Sequence, residues 1–206
     1  MRTHGWGGRT PASDGEAVSR ILDAAQAALD DSGGDLSLAD VARRLGVTRQ
    51  TVYRYFPSVD ELVLATADRA TLPFVTRMIE HLRGITDPAD ACVESFAFVV
   101  EHLPHERYLR IALALGTPSS RAAAVTSPRA LDQGVGLLRA LDVDWEAEGY
   151  DDAMLREIMG TQLRLLQSLL VDPADVEGRG DLRAYLHRWL APAVRGLPTA
   201  SRSVGR

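Results

Sequence analysis

Three capping-box patterns near the start of the chain divide this region into short helices. They are Ser13-Asp-Gly-Glu16, Ser37-Leu-Ala-Asp40 and Ser58-Val-Asp-Glu61. In such a box the Ser oxygen accepts the amide N–H three residues later, and the acidic side chain can reach back to the Ser amide. The spacing therefore predicts three helix starts within fifty residues.

Apolar residues recur at helical spacing after the first two boxes. The two sets are Val18, Ile21, Leu22, Ala25 and Leu29, then Leu38, Val41, Ala42 and Leu45. Gly33-Gly34 and Gly46 are predicted to end these helices. Thr48 can cap a third short helix that runs through about Tyr55, with Val52 and Phe56 facing inward and Pro57 breaking the chain.

The rest of the chain is also predicted to be helical, because no alternating strand pattern of useful length occurs. A long helix is expected to run from Ser58 toward Leu82, and separators rich in Gly and Pro delimit the later ones. These later helices are expected near Pro88–Leu103, His105–Leu115, Pro128–Leu141, Asp151–Leu170 and Asp181–Arg195. The fold class is therefore predicted to be all-α.

Composition and cysteine content set the broad class. The chain has 46% hydrophobic and 25% charged residues, as in ordinary globular proteins. No apolar run approaches the roughly 18 to 20 residues that span a bilayer, and Met1 to Gly15 lacks the apolar core of a signal peptide. The single cysteine, Cys92, excludes an intramolecular disulfide. We therefore expect a cytoplasmic protein with no membrane partner.

The net charge of −5 argues against a nucleic-acid partner, but its distribution does not. Residues 1–57 carry seven Arg and seven acidic residues, so the whole excess of acid lies after them. Between Leu36 and Pro57 four Arg accompany only one acid, Asp40. A small basic face on an acidic body is compatible with DNA binding.

Two short helices joined at Gly46 and braced by a preceding helix predict a helix-turn-helix. Glycine tolerates the positive φ that such a turn requires, and Val47 fills its inner side. The second helix would leave one face free for the major groove. On that face every side chain can donate a hydrogen bond and none is acidic: Arg49, Gln50, Thr51, Tyr53, Arg54 and Tyr55.

Leu36 to Leu62 resembles the DNA-binding signature of the TetR (tetracycline repressor) family. The most distinctive part is Tyr53-Arg-Tyr55-Phe56, followed by the capped helix at Ser58. The resemblance extends over about Val18 to Leu64. It implies an N-terminal three-helix helix-turn-helix domain and a C-terminal helical domain for ligand binding and dimerisation. The expected divisions are a disordered arm at 1–12, the DNA-binding domain at 13–64, the second domain at 65–196 and a disordered tail at 197–206.

The resemblance also implies which residues contact DNA. They are Ser37, Thr48, Arg49, Gln50, Thr51, Tyr53 and Tyr55. The guanidinium of Arg49 suits guanine and the amide of Gln50 suits adenine, whereas Tyr53 resembles the family's phosphate-contacting tyrosine. Alternatively, Tyr53 packs against the first helix and Tyr55 is only a surface aromatic. Many members have a lysine that contacts a phosphate at the position of Val59. The valine side chain cannot make this contact.

The later helices supply candidate dimer and ligand residues. A homodimer suits a helix-turn-helix, because such proteins usually bind two half-sites. The candidate dimer residues are Leu155, Ile158, Met159, Gln162, Leu166, Leu169, Tyr185, Leu186 and Trp189. The candidate ligand-binding residues are Phe74, Phe96, Phe98, His102, Tyr108, Gln133 and Trp145. For both sets the alternative interpretation is that these side chains only pack in the core of their own chain.

No motif for catalysis or cofactor binding occurs in the sequence. His102 and His105 are separated by Pro104, which breaks the helix that a zinc pair would need. We therefore expect no metal and no cofactor. The predicted function is a ligand-responsive regulator, a repressor released from a palindromic double-stranded operator by a small molecule. The alternative is an all-α small-molecule-binding protein or enzyme with a vestigial helix-turn-helix.

Overall fold

The computed structural model describes residues 5–32, 36–108, 110, 127–171 and 182–203. All regular structure within these ranges is helical, which confirms the all-α prediction. The α-helices are α1 (Asp14–Ser32), α2 (Leu38–Leu45), α3 (Arg49–Tyr55), α4 (Val59–His81), α5 (Pro88–His102), α6 (Pro128–Arg139), α7 (Asp152–Val171) and α8 (Leu182–Ser203). A single 3₁₀ turn, Leu103–His105, follows α5.

The helix starts agree with the capping boxes. Ser13 Oγ accepts the Glu16 amide at 3.1 Å, Ser37 Oγ accepts the Asp40 amide at 3.1 Å, and Ser58 Oγ accepts the Glu61 amide at 3.1 Å. The predicted stop at Gly33-Gly34 and most of the predicted helix at His105–Leu115 lie outside the described residues.

The chain forms two compact units, divided between Pro73 and Phe74. The first unit holds the residues up to Pro73 and also the segment that begins at Glu106. The second holds Phe74–His105 and the residues from Gly116 onward. The predicted boundary at residue 64 falls inside α4, whereas the division coincides with Pro73, a proline within this helix.

The first unit is built around one apolar core that joins four helices. Its buried members are Ile21, Leu22 and Ala25 of α1, Leu38, Val41 and Ala42 of α2, Val52 of α3, Phe56, and Leu62 of α4. These are largely the residues of the sequence-predicted stripes. The core fixes the orientation of the two short helices, because helices of seven or eight residues are marginal without tertiary packing.

The segment before α1 is folded, in contrast to the predicted disordered arm at 1–12. Trp6 packs against the core of the first unit, and the Gly7 amide donates to Leu45 O at 3.2 Å. Trp6 adopts a φ of 69°, which is uncommon for a non-glycine residue. Residues 1–4 lie outside the described residues. The prediction missed this packing because a lone aromatic in a Gly-rich stretch has no periodic pattern.

Glu16 ties the same segment to α1. Its carboxylate accepts the Ala12 amide at 2.7 Å and pairs with Arg20 at 2.5 Å and with Arg9 at 3.4 Å. The hydrogen bond from the Ala12 amide, aided by Arg20, lowers the pKa of Glu16. The capping residue of α1 therefore also anchors the chain that precedes it.

In the second unit α5 packs along α8, and α6 packs on α7. A Cβ on Gly134 of α6 would collide with the Met159 side chain of α7, so this glycine permits the close approach. Arg183 of α8 pairs with Glu94 and Glu101 of α5. Hydrogen bonding to Glu101 raises the pKa of Arg183, so this guanidinium is always charged.

Cys92 lies fully buried in α5. Its carbonyl accepts hydrogen bonds from Gln162 Nε2 at 2.9 Å and from Ser95 Oγ at 3.1 Å. Burial raises the pKa of the thiol to about 12. The thiol is therefore an inert part of the core, as the sequence indicated.

The last helix is longer than predicted. The sequence indicates a disordered tail from Leu197, whereas α8 continues to Ser203 through Pro192 and Pro198. Each proline removes one backbone hydrogen bond, but Leu186 and Val194 anchor the helix in the core of the second unit. Within the described residues, no helix is both long and apolar enough to cross a membrane.

Replacing Trp6 by alanine should destabilise α2 and α3, because the indole packs on their core. We expect the free energy of opening of these helices to fall by about 1–3 kcal/mol, as for loss of a partly buried aromatic. Native-state amide hydrogen exchange measures this. Trp6→Phe is the control, since its ring retains most of the contact. Unchanged exchange of α2 and α3 in Trp6→Ala would show that the segment does not brace them.

Candidate nucleic-acid interface

The turn between α2 and α3 has the geometry that the sequence predicts. Gly46 lies in the left-handed region with φ 66° and ψ 28°. Its amide donates to Arg43 O at 3.2 Å, and the Val47 amide donates to Ala42 O at 3.0 Å. The terminal carbonyls of α2 are thereby satisfied within the turn.

Threonine caps the start of α3. Thr48 has extended backbone, and its Oγ1 accepts the Thr51 amide at 3.2 Å. The Thr48 and Thr51 hydroxyls are also hydrogen-bonded to each other at 2.9 Å. Val52 is fully buried, so one face of α3 is fixed against the core.

The opposite face of α3 presents hydrogen-bond donors to solvent. Arg49 and Gln50 are exposed, and Tyr53 is 47% exposed. None of the three side chains forms a hydrogen bond or ion pair with another part of the chain that the structure describes. These groups are therefore available to a ligand outside the protein.

The other arginines of the helix-turn-helix are paired with carboxylates. Arg43 pairs with Asp40 at 2.5 Å, Arg44 with Asp31 at 2.7 Å, and Arg54 with Asp14 at 3.2 Å. Arg49 thus differs from them in having no internal partner among the described residues.

Tyr55, a predicted DNA contact, is bonded within the first unit, unlike Arg49. It is half-buried and packs against the core of the first unit. Its hydroxyl donates to Asp14 Oδ1 at 2.9 Å. This bond could not be read from a local pattern, because Asp14 lies 41 positions earlier in the chain.

Arg54 is a further candidate that the sequence analysis left out of the contact set. It follows Gln50 by one turn, so the two side chains share the outward face of α3. Its side chain is 68% exposed, and its guanidinium lies 4.6 Å from the centre of the Tyr55 ring. Because Arg54 lies on the face of α3 opposite the buried Val52, the sequence pattern could have predicted it as a DNA contact.

Ser37 is half-buried and occupied by its role at the start of α2. Its hydroxyl donates to Asp40 Oδ2 at 2.6 Å while it accepts the Asp40 amide. This hydrogen bond, aided by Arg43, lowers the pKa of Asp40. Asp40 therefore stays ionised, and its charge is balanced by Arg43.

The predicted ligand-binding residues fall into separate places. Phe74, Phe98 and His102 lie together: the ring centroids of Phe74 and Phe98 are 5.5 Å apart, and His102 stacks on Phe98 at 4.0 Å. His81, which the sequence analysis did not select, joins them at 5.1 Å from Phe98. Nothing in the sequence around His81, at the end of α4, indicates that it meets Phe98.

Among the described residues, no ring contact joins Phe96, Tyr108 or Trp145 to this cluster. Phe96 lies on a different face of α5 from Phe98, because two residues turn a helix by about 200°. Gln133 is exposed on α6. Tyr108 belongs to the first unit and donates to Asp30 Oδ1 at 2.5 Å. Burial, together with that carboxylate, raises the pKa of Tyr108.

Trp145 lies in another part of the second unit. Its Nε1 donates to Leu138 O at 2.8 Å, and its ring meets Tyr150 edge-on at 5.4 Å. Both rings border an open cavity of about 840 Å³ whose rim carries Arg139, Asp144 and Asp152. Trp145 is therefore the ligand candidate that borders this cavity, whereas Phe74, Phe98 and His102 form an aromatic cluster elsewhere in the second unit.

Most predicted dimer residues are buried within the single chain. These are Leu155, Ile158, Met159, Gln162, Leu169 and Leu186. For them the alternative holds: they face their own core, because α7 and α8 pack on α6 and α5. Three of the predicted residues remain accessible, namely Leu166, Tyr185 and Trp189, and Trp189 is 65% exposed.

His102 is positioned within α5. Its Nδ1 lies 2.8 Å from Phe98 O, a position for a hydrogen bond within α5. Among the residues that the structure describes, no group of three or more His, Cys, Asp or Glu could hold a metal ion.

Replacing Ser37 by alanine should raise the pKa of Asp40 toward its ordinary value of 3.8. The lowered pKa means that the bond stabilises the fold above the unfolded-state pKa and that this contribution is lost as pH falls through the folded-state pKa. An NMR titration of the Asp40 carboxyl carbon measures the shift. Arg43→Ala should also raise the pKa, because the guanidinium both pairs with the carboxylate and donates a hydrogen bond to it. An Asp40 that titrates in Ser37→Ala as in the unaltered chain would contradict this assignment.

Comparison with known proteins identifies the first unit. The family model for bacterial regulatory proteins of the tetR family matches residues 21–66. This range contains most of α1, all of α2 and α3, and the start of α4.

Relatives extend over nearly the whole chain. Two of them are the uncharacterized HTH-type transcriptional regulators MT1294 and Rv1255c of Mycobacterium tuberculosis strains CDC 1551 / Oshkosh and ATCC 25618 / H37Rv. Each is 25% identical over 191 residues, a match that covers 92% of this chain and 91% of the relative.

Among solved structures, the fatty acid degradation regulator FadR from Bacillus halodurans aligns with 92% of this chain and 96% of its own. The sequence identity is 18% and the TM-score is 0.43.

The family match covers the helices that form the core of the first unit and the exposed donors of α3. The regulators from M. tuberculosis match the chain through both units. Residues 21–66 therefore carry a DNA-binding domain like that of the tetR family of bacterial regulatory proteins, and the chain is a DNA-binding transcriptional regulator.

Proposed function

We propose that the protein is a cytoplasmic homodimeric repressor that binds a palindromic operator and is released by a small molecule. The operator is bound by the first unit, and the small molecule and the second subunit are bound by the second. The expected divisions at 13–64 and 65–196 correspond broadly to these roles. Repression, dimerisation and ligand release are typical of the family.

The observation that carries the proposal is the set of unpaired donors on α3. Arg49, Gln50 and Tyr53 are exposed and have no internal partner among the described residues. A guanidinium can donate two hydrogen bonds to guanine, and a carboxamide can bond adenine. A tyrosine hydroxyl can donate to a phosphate oxygen, which positions the helix without reading sequence.

The helix N-termini beside this face contribute in a second way. Thr48 begins α3 and Ser37 begins α2, where free backbone amides favour a phosphate. Their hydroxyls already cap the helices, so we assign them to backbone positioning rather than to base recognition. Val59, the first residue of α4, has no hydrogen-bond donor in its side chain. We therefore assign it no contact with a DNA phosphate.

A dimer follows from the size of this surface. One seven-residue helix covers few base pairs, and helix-turn-helix proteins gain affinity by binding two half-sites one turn apart. Trp189 of α8 is the exposed apolar side chain best suited to a subunit interface. Tyr185 precedes it by one turn, and Leu166 lies on α7.

The effector site is proposed beside Phe74, Phe98 and His102. Phe74 and Phe98 would supply the apolar wall of such a site and His102 an orienting polar group, as in small-molecule sites generally. His81 and Phe74 belong to α4, which begins in the first unit and ends in the second. A ligand that prefers one position of α4 would shift the separation of the two α3 helices, whereas equal affinity for both positions would shift nothing.

Arg49→Ala should weaken operator binding by about 1–3 kcal/mol and relax the preference at one base pair, since a bidentate contact is lost. Fluorescence anisotropy with a duplex selected from random DNA, and with its single-base variants, measures both effects. Arg43→Ala is the matched control, an exposed arginine of the same motif that is paired with Asp40. A uniform loss across all base variants would assign Arg49 to a phosphate instead. Failure of the unaltered chain to select any duplex would overturn the proposed function.

Trp189→Ala should shift the protein from dimer toward monomer, because truncation of a large aromatic at the centre of an interface commonly costs 2 kcal/mol or more. Sedimentation velocity across a concentration series measures the dissociation constant. Leu72→Ala is the control, as Leu72 is a large apolar residue of α4 that is 59% exposed. Equal dissociation constants for the two variants would place the interface elsewhere.

A further inference from the structure

Asp14, the first residue of α1, binds the end of α3. Its Oδ1 accepts hydrogen bonds from Tyr55 Oη at 2.9 Å and from Arg54 Nη2 at 3.2 Å. The Arg54 guanidinium also donates to the Tyr55 hydroxyl and lies over the Tyr55 ring. One carboxylate oxygen thus receives two donors that neighbour the DNA-facing surface.

This arrangement is exposed to solvent. The side chain of Asp14 is 82% exposed and that of Arg54 is 68% exposed. Exposed ion pairs contribute little to stability, because both charges are well solvated when apart. The carboxylate can therefore be replaced at small cost by another anionic oxygen.

A backbone phosphate offers the same chemistry as the carboxylate. Guanidinium and hydroxyl groups form charge-assisted hydrogen bonds with phosphate oxygens. Arg54 shares the outward face of α3 with Gln50, one turn earlier. A helix that enters the major groove through Gln50 brings Arg54 close to the phosphates that border the groove.

The other acid–arginine pairs of the motif differ from this one. Asp40 is held by Ser37 as well as by Arg43, and both belong to α2. Arg44 lies at the end of α2 and pairs with Asp31 near the end of α1. Asp14 alone among these three carboxylates binds side chains of α3.

We propose that Asp14 is an internal competitor for a DNA phosphate. In the free protein its carboxylate holds Arg54 and Tyr55, and on the operator a phosphate oxygen takes its place. Asp14 therefore limits the affinity of the protein for DNA. This inference rests on the proposed role of α3 as the recognition helix.

The test compares Asp14→Asn with Asp23→Asn in the full-length protein. Asp23 also lies on α1 and pairs with Arg69 at 2.8 Å, so its replacement removes the same charge without touching α3. Anisotropy with the selected duplex should show affinity raised about two- to fivefold by Asp14→Asn, the range expected when an exposed pair no longer competes. Asp23→Asn should show a smaller change.

A second variant assigns the effect to Arg54. Arg54→Gln should reduce the slope of log affinity against log salt by about 0.9, the value for one phosphate contact. In the Arg54→Gln background, Asp14→Asn should lose most of its gain. Circular dichroism of each variant verifies that the helices are retained.

Three results would overturn the inference while leaving the proposed function intact. They are an affinity of Asp14→Asn equal to or below that of the unaltered chain, an equal gain from Asp23→Asn, or an unchanged salt slope in Arg54→Gln. In contrast, absence of specific binding by the unaltered chain would contradict the proposed function itself.

Discussion

The DNA-binding surface depends on the burial of one side of a very short helix. α3 has seven residues, too few to be stable in water by itself. Val52 and Phe56 hold it in the core formed by α1, α2 and α4. Because this attachment uses so few side chains, most of the surface of α3 remains free for recognition. The rest of the first unit, including Trp6 and the Gly46 turn, holds that core together.

In the first unit, ion pairing decides which arginines are available to DNA, and the net charge does not. The chain as a whole carries a net charge of −5, and the carboxylates of Asp31 and Asp40 neutralise arginines beside α3. Arg49 keeps its full donor capacity because no described carboxylate pairs with it. An unpaired guanidinium on α3 beside paired arginines favours a defined orientation on DNA over general adhesion to phosphate.

The parts of the structure that could be predicted from the sequence are those that depend on near neighbours. The capping boxes, the left-handed Gly46 and the inward Val52 each follow from residues within one or two turns. The packing of Trp6 and the bond between Asp14 and Tyr55 could not be predicted, because they join segments about 40 positions apart. The predicted ligand-binding residues lie in separate places for the same reason. Aromatic residues indicate a core, but their spacing along the chain does not show which of them are in contact.

The position of Cys92 has a practical consequence for studying the second unit. The thiol is fully buried, its pKa is about 12, and it is the single cysteine of the chain. A thiol reagent can therefore modify the protein only when α5 becomes accessible through opening of the second unit. The rate of alkylation reports the opening of that unit alone, without an engineered probe. A small molecule that binds and tightens the second unit would slow the reaction, whatever its effect on DNA.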